Sequence, residues 1–223
     1  MLVGHFAPAL GLRAVSDRVP LWALILGTQA VDVLFFVLVL AGVEGAALDP
    51  DAHPRLVVTA GVWSHSLAMT AVYFAACLGG GALLGRWREG ALVGVAVASH
   101  WLADLIVHVP DLPVTLEQSS AVGLGLWRLP WAATALEVGL VAGGALWLSR
   151  SYPAGPARRR LAIVAGALIL LQLASDLVVP APESDALLAP MAWAIYGATT
   201  AAAWWAERPL SAAPRAPDPT PRG

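Results

Sequence analysis

The stretch PLWALILGTQAVDVLFFVLVLAGV, residues 20–43, contains a single ionisable side chain, Asp32. A helix rises 1.5 Å per residue, so about 20 apolar residues cross a hydrocarbon layer roughly 30 Å thick. This run is long enough to do so. It is preceded by Arg13 and Arg18 and followed by Glu44, Asp49 and Asp51. Five further stretches read the same way: about Val57 to Leu84, Gly90 to Val109, Pro130 to Leu148, Leu161 to Val179 and Ala186 to Ala206. The whole chain agrees, with 58% hydrophobic and only 13% charged residues and a mean hydropathy of +0.71. A soluble domain carries about 25% charge. The expected fold is an all-α, polytopic membrane helix bundle of about six transmembrane helices over residues 1–208, with membrane lipids as its surroundings. Residues 209–223, rich in Pro, Ala and Arg, read as a disordered tail.

The basic residues set an orientation. All are arginines, and Arg13/Arg18, Arg86/Arg88, Arg150 with Arg158 to Arg160, and Arg208/Arg215/Arg222 fall in alternate connections, whereas the other connections carry mostly Asp and Glu, with Arg55 and Arg128 as the exceptions. The positive-inside rule then places the N and C termini on the cytoplasmic side. Trp22, Trp63, Trp87, Trp127, Trp131 and Trp147 lie near span ends, as an interfacial belt requires. Met1 to Leu12 is too short to span and has no basic residues ahead of its apolar run, so no cleavable leader is expected; it lies in the interface or dips into the bundle. The net charge of -2 gives no sign of nucleic-acid binding. Cys77 has no second cysteine to pair with.

Function is sought among ionisable groups placed where they are costly. Asp32, His65, His100, Asp104, His108, Glu137 and Asp176 all fall inside predicted spans, where a charge costs about 2.5–3.5 kcal/mol on insertion scales. From the cytoplasmic end, Asp32 lies roughly 18 Å up its span, and His100, Asp104 and His108 roughly 14, 20 and 26 Å up theirs. Glu137 lies about 10 Å from the outer end and Asp176 roughly 22 Å up. The groups converge on the outer half of the bilayer.

The sharpest pattern is SHWLADLIVH, residues 99–108. His100, Asp104 and His108 recur every four residues and share one helix face. Two such neighbours can grip one ion, whereas His100 and His108, about 12 Å apart along the axis, cannot both do so. Asp104 with one histidine is the expected pair; the other histidine supports it or serves a second ion. His65, in Ser64-His65-Ser66, is the natural ligand from a neighbouring helix. Asp32 completes the sphere or acts as a base, and Glu137 is the other candidate base. Three histidines and two aspartates suit a divalent metal, zinc before iron or manganese. Ser64, Ser66 and Ser99 read as packing or supporting groups rather than nucleophiles, and the glycine-rich GGGALLG as close helix packing.

These segments resemble the YdjM-like family, described as LexA-binding, inner-membrane-associated, metal-dependent hydrolases. The similar elements are GHFAPALGL with His5, GTQAVDVLFF with Asp32, WSHSLAMT with His65, and SHWLADLIVH with His100 and Asp104, together covering about residues 4–115. HVPDLP and GLGLW resemble a subgroup of uncharacterised bacterial membrane proteins. The family's Pro-Asp-x-Asp element is reduced here to Asp32, and Ala60 to Ser64 stand where it has His-Arg-Gly; His108 is an addition. The resemblance implies a metal-site half at residues 1–115, a bacterial inner-membrane location and His5 as a further ligand. The orientation argues against His5, because a cytoplasmic-face segment would not reach an outer site. The leading expectation is a hydrolase acting at the outer membrane-water interface on a lipid-like ester or phosphoester. Two alternatives stand beside it. One is a proton- or metal-coupled transporter, for which no inverted repeat is visible; the other is a structural or assembly protein whose polar groups only lock helices together.

Overall fold

The computed structural model describes residues 1–49, 53–54, 56–117, 119–177 and 185–208. The expected disordered tail, 209–223, lies outside them, as do most of the acidic turn at 180–185 and the end of the fifth predicted span. Among the described residues the chain is mostly helical. Its helices are α1 (Phe6–Val15), α2 (Leu21–Leu40), α3 (Val62–His65), α4 (Leu67–Leu83), α5 (Trp87–Val107), α6 (Pro130–Ser149), α7 (Pro156–Leu177) and α8 (Leu188–Glu207). Four of them, α2, α5, α6 and α7, are long and apolar enough to cross a membrane. The all-α expectation holds.

The second predicted span is divided. Leu56–Ala60 forms a strand, β2, paired antiparallel with β1 (Gly45–Leu48). The reason is local: Val57, Val58 and Thr59 are β-branched and fit a pleated surface better than a helix. Gly45 lets the strands close, since a Cβ there would meet Thr59 Oγ1 at 2.3 Å. After Gly61 the short α3 carries His65. Ser66 then starts α4, its hydroxyl accepting from the Met69 N–H at 3.2 Å. The helix that remains has 17 residues.

Small residues let helix backbones approach closely, and the α4–α5 pair uses them. A Cβ on Gly90 would stand 2.5 Å from the Cys77 carbonyl oxygen, and one on Gly81 2.7 Å from Gly90 Cα. Within the glycine-rich run Gly81 alone makes such an approach: a Cβ on Gly79 or Gly80 would meet nothing within 4 Å, and Gly85 serves the turn at φ +69°.

The N-terminal segment does not lie on a face of the bundle. It is inside. Val3, Phe6 and Ala9 are fully buried and join Leu21, Leu24, Val141, Leu148 and Leu161 in the main core. Gly4 abuts Glu137, Gly144 faces Ala7 and Leu10, and Gly11 meets Trp147. α1 therefore runs alongside α6 and antiparallel to α2. At its far end Glu207 closes the bundle. Its carboxylate takes Arg13 Nε at 2.5 Å, the Leu21 N–H at 2.6 Å and the Tyr152 hydroxyl at 2.9 Å. One side chain thus caps α2 and fastens α1, α8 and the α6–α7 connection. Burial and the charge of Glu207 push the Tyr152 phenol up to about 12.

Candidate metal centre

His100 sits at the middle of the site. α5 is pinned to α2 by the His100 Nδ1–H, which donates to the Thr28 carbonyl at 2.8 Å. That bond assigns the tautomer: in the neutral ring, Nε2 keeps its lone pair. Nε2 lies 3.1 Å from Asp104 Oδ2, one turn on along α5, and 3.4 Å from Asp32 Oδ1 on α2.

His65 is held in the same manner. Its Nδ1 is 2.7 Å from Ser64 Oγ, whose own proton goes to Glu44 Oε2 at 2.6 Å. Ser64 must therefore accept from the ring, which leaves His65 Nε2 as the lone pair. That atom faces Asp32 Oδ1 at 3.3 Å. Glu44 also accepts the Trp63 and Ser64 N–H groups at 2.8 and 3.0 Å, fixing the start of α3. The other oxygen of Asp32 accepts the Tyr196 hydroxyl from α8 at 2.9 Å.

His5 completes the cluster. Its ring stacks on His100, with centroids 3.7 Å apart, and its Nε2 lies 3.1 Å from Asp104 Oδ1. The insertion of α1 removes the topological objection to His5: its end of the helix is deep in the bundle. The Met1 amino group is also close to Asp104 Oδ1, at 2.8 Å.

Two overlapping sets emerge, His5–His100–Asp104 and Asp32–His65–His100, each with its donor atoms within 4.8 Å of one another. The separations of 3.1–3.4 Å have a physical meaning. Two donors that each stand about 2.0–2.1 Å from one ion are about 2.8–3.0 Å apart in octahedral geometry and about 3.3–3.4 Å apart in tetrahedral geometry. With both rings neutral, the Nε2 lone pairs of His65 and His100 face carboxylate oxygens, acceptor against acceptor; a metal ion between them, or a second proton on a ring, resolves that conflict. The residues fit a divalent metal by donor type, by spacing and by the bonds that orient each ring.

The other sequence candidates stand nearby. His108 Nδ1 pairs with Asp111 Oδ1 at 2.8 Å, and its Nε2 is 3.8 Å from Asp104 Oδ1, outside both sets. Its ring leans on Trp127. Glu137 is buried and accepts the Leu2 and Gly4 N–H groups at 2.8 and 3.0 Å through one oxygen, Oε2. Asp176 Oδ2 accepts from Thr134 Oγ1 at 2.5 Å and Gln172 Nε2 at 2.8 Å. Ser64 is a supporting group, Ser66 a helix cap, and Ser99 bonds the Ala96 carbonyl.

Three supporting residues escape the sequence reading: Glu44, Thr28 and Tyr196. Thr28 acts through its carbonyl, which no sequence pattern marks. Glu44 looks like one more acid of a polar loop, and Tyr196 like an aromatic of the last span. Comparison with known proteins returned no matching family model, no matching curated protein and no matching solved structure.

A cavity of about 420 Å³ opens onto the cluster. His5, Asp32, His65 and Asp104 line it, with Glu137 and Asp176 further along the wall.

Proposed function

We propose that the protein is a membrane-embedded, metal-dependent hydrolase of the bacterial inner membrane that acts on a lipid-like ester or phosphoester. The observation that carries this reading is the double orientation of His65 and His100. Both rings are held by Nδ1, and both Nε2 atoms converge on Asp32. Zinc suits the set of imidazoles and carboxylates best.

His5, His65, His100, Asp32 and Asp104 are the holding residues. Asp32, first considered as a base, faces two imidazoles with one oxygen and is tied to Tyr196 by the other, which suits a ligand. A divalent ion in this set supplies Lewis acidity and makes water nucleophilic at neutral pH. Glu137 is then the proton acceptor: its Oε2 is anchored by backbone N–H groups, and its carboxylate lines the cavity. The apolar residues of the same cavity exclude bulk water. The resemblance to the YdjM-like family points in the same direction.

Six spans, with α4 and α8 completing the set, and a cytoplasmic C terminus are part of this proposal; of the N-terminal segment, expected on the cytoplasmic side, only the Arg13 end is placed there, because the Met1 amino group lies in the bundle at Asp104. In its support, Arg13 joins Glu207 at the end of α8, and Arg160 reaches the Arg208 carbonyl at 3.0 Å. One end of the bundle therefore gathers basic residues from α1, α7 and α8, and the cluster lies away from it.

The test is metal content. Untagged protein purified in detergent is analysed by mass spectrometry beside a His65→Ala/Asp104→Ala double variant. About one zinc, iron or manganese per chain, lost in the variant, is the expected result. Absence of metal from the wild type after reconstitution with each ion would end this reading.

A further inference from the structure

The walls of the cavity differ in chemistry. One is apolar and comes from α2, β2 and α8: Phe35, Phe36, Leu56, Val58, Leu188 and Met191. The other comes from α6 and α7 and holds Glu137, Gln172, Ser175 and Asp176. Of the metal-centre residues, His5, Asp32, His65 and Asp104 also line the cavity. Four carboxylates line it in all, Asp32, Asp104, Glu137 and Asp176; the Met1 ammonium also lines it but is paired with Asp104 Oδ1 at 2.8 Å, no Arg among the described residues does so, and the chain has no lysine.

Asp176 has no part in the metal centre, yet it is carefully placed. Thr134 and Gln172 both bond its Oδ2, and Oδ1 takes no hydrogen bond from the described residues. His5, almost fully buried, lines the same cavity with an Nδ1 that has no partner. A carboxylate with one oxygen fixed and the other unengaged is suited to a donor-bearing or cationic group. On the α6–α7 wall, apart from the metal-holding residues and the Met1 ammonium paired with Asp104, a phosphate would meet Glu137 and Asp176 with no guanidinium to offset them.

We infer that the ligand of this cavity is an amphiphile with an apolar chain on the Phe35–Met191 wall and an ammonium-bearing head at Asp176. Its reacting bond is a carboxylic ester rather than a phosphoester. The fate of that bond rests on the hydrolase reading; the choice of ligand does not. In the reaction the water oxygen bonds to the acyl carbon, the acyl C–O bond breaks, and the alcohol leaves with one proton of the water. The apolar wall holds the chain, and Asp176 holds the head away from the holding residues.

The test measures equilibrium binding of decylammonium and decyl phosphate to metal-loaded, full-length protein in uncharged detergent. Decylammonium is expected to bind at least 10-fold more tightly. Asp176→Asn should bring the ratio close to one without altering metal content. Ser175→Arg, on the exposed part of the same wall, should reverse it. Equal or tighter binding of decyl phosphate by the wild type overturns the inference, whatever the variants do. So does a ratio that neither variant changes. Hydrolysis of the aminoethyl ester of decanoic acid is followed in parallel. Ammonium preference without cleavage of this ester removes the hydrolase reading and leaves the ligand class standing. Cleavage of decyl phosphate does the reverse.

Discussion

Glu44 and His65 are joined through one hydroxyl: Ser64 Oγ donates to Glu44 at 2.6 Å and accepts from His65 Nδ1 at 2.7 Å. The polarity of this relay is set by Glu44, which as a carboxylate can only accept. In the neutral ring it therefore puts the proton on Nδ1 and leaves the lone pair on Nε2, the nitrogen that faces Asp32.

Glu44→Gln should break that assignment while keeping size and shape. A glutamine can offer its amide NH₂ to Ser64, which frees the hydroxyl to donate to His65 Nδ1 and turns the proton towards Nε2. Loss of such an orienting partner typically lowers metal affinity 10–100-fold. Competition with a chelator of known affinity measures it. An unchanged affinity would mean that the relay only fastens α3.

Tyr196 makes the corresponding contact on the carboxylate side, its hydroxyl bonding Asp32 Oδ2 at 2.9 Å. Tyr196→Phe keeps the ring, and with it the packing against Phe35 and Phe36, and removes only the donor. Metal affinity should fall about 10-fold with little change in melting temperature. The two effects separate the roles: a large loss of stability with affinity intact would make Tyr196 a strut of α8 and nothing more.

The fold was legible where one physical demand dominates. The long apolar runs, the one around Asp32 first, announce an all-α bundle with helices long enough to cross a membrane. His100 and Asp104 announce themselves by helical spacing, and their meeting with His65 and Asp32 follows from placing ionisable groups at one depth. His5 could not be placed that way. Depth counting assumes that each apolar stretch either crosses the bilayer or stays outside, whereas α1 does neither: it enters the bundle beside α6 and carries His5 to Asp104. The strand at Leu56–Ala60 escaped for another reason, since an unbroken apolar run looks alike whether strand or helix. Thr28 contributes a backbone carbonyl, which has no signature at all.

Glu207 supports a prediction about stability that is separate from the metal. It takes three donors, from Arg13, Leu21 and Tyr152, at the end of the bundle remote from the cluster. Glu207→Ala leaves a guanidinium and a helix N-terminus without their acceptor. The side chains of the pair remain partly exposed, at 20% for Arg13 and 15% for Glu207, so solvent screens part of the loss. A destabilisation of about 1–3 kcal/mol is expected, read as a lower unfolding midpoint in detergent. Metal stoichiometry of the folded fraction should stay at its wild-type value. If stability does not change, the contacts of Glu207 are incidental to the closure of the bundle.

Glu137 separates holding a metal from using it. Its Oε2 accepts the N–H groups of Leu2 and Gly4, bonds that a glutamine carbonyl oxygen can keep, so Glu137→Gln should fold and retain its metal. What the substitution removes is the capacity to take up a proton. If Glu137 is the proton acceptor, turnover of a cleaved ester should drop by about 10²–10⁴-fold, the usual contribution of general base catalysis. The loss should appear in kcat more than in KM, because the cavity walls that bind the chain are untouched. Undiminished turnover in a metal-replete Glu137→Gln protein would pass the role of base to another residue. Asp32 would be a poor substitute, since one of its oxygens faces His65 and His100 and the other is held by Tyr196. The remaining carboxylate along the wall, Asp176, would then have to be tested for turnover as well as for ligand choice.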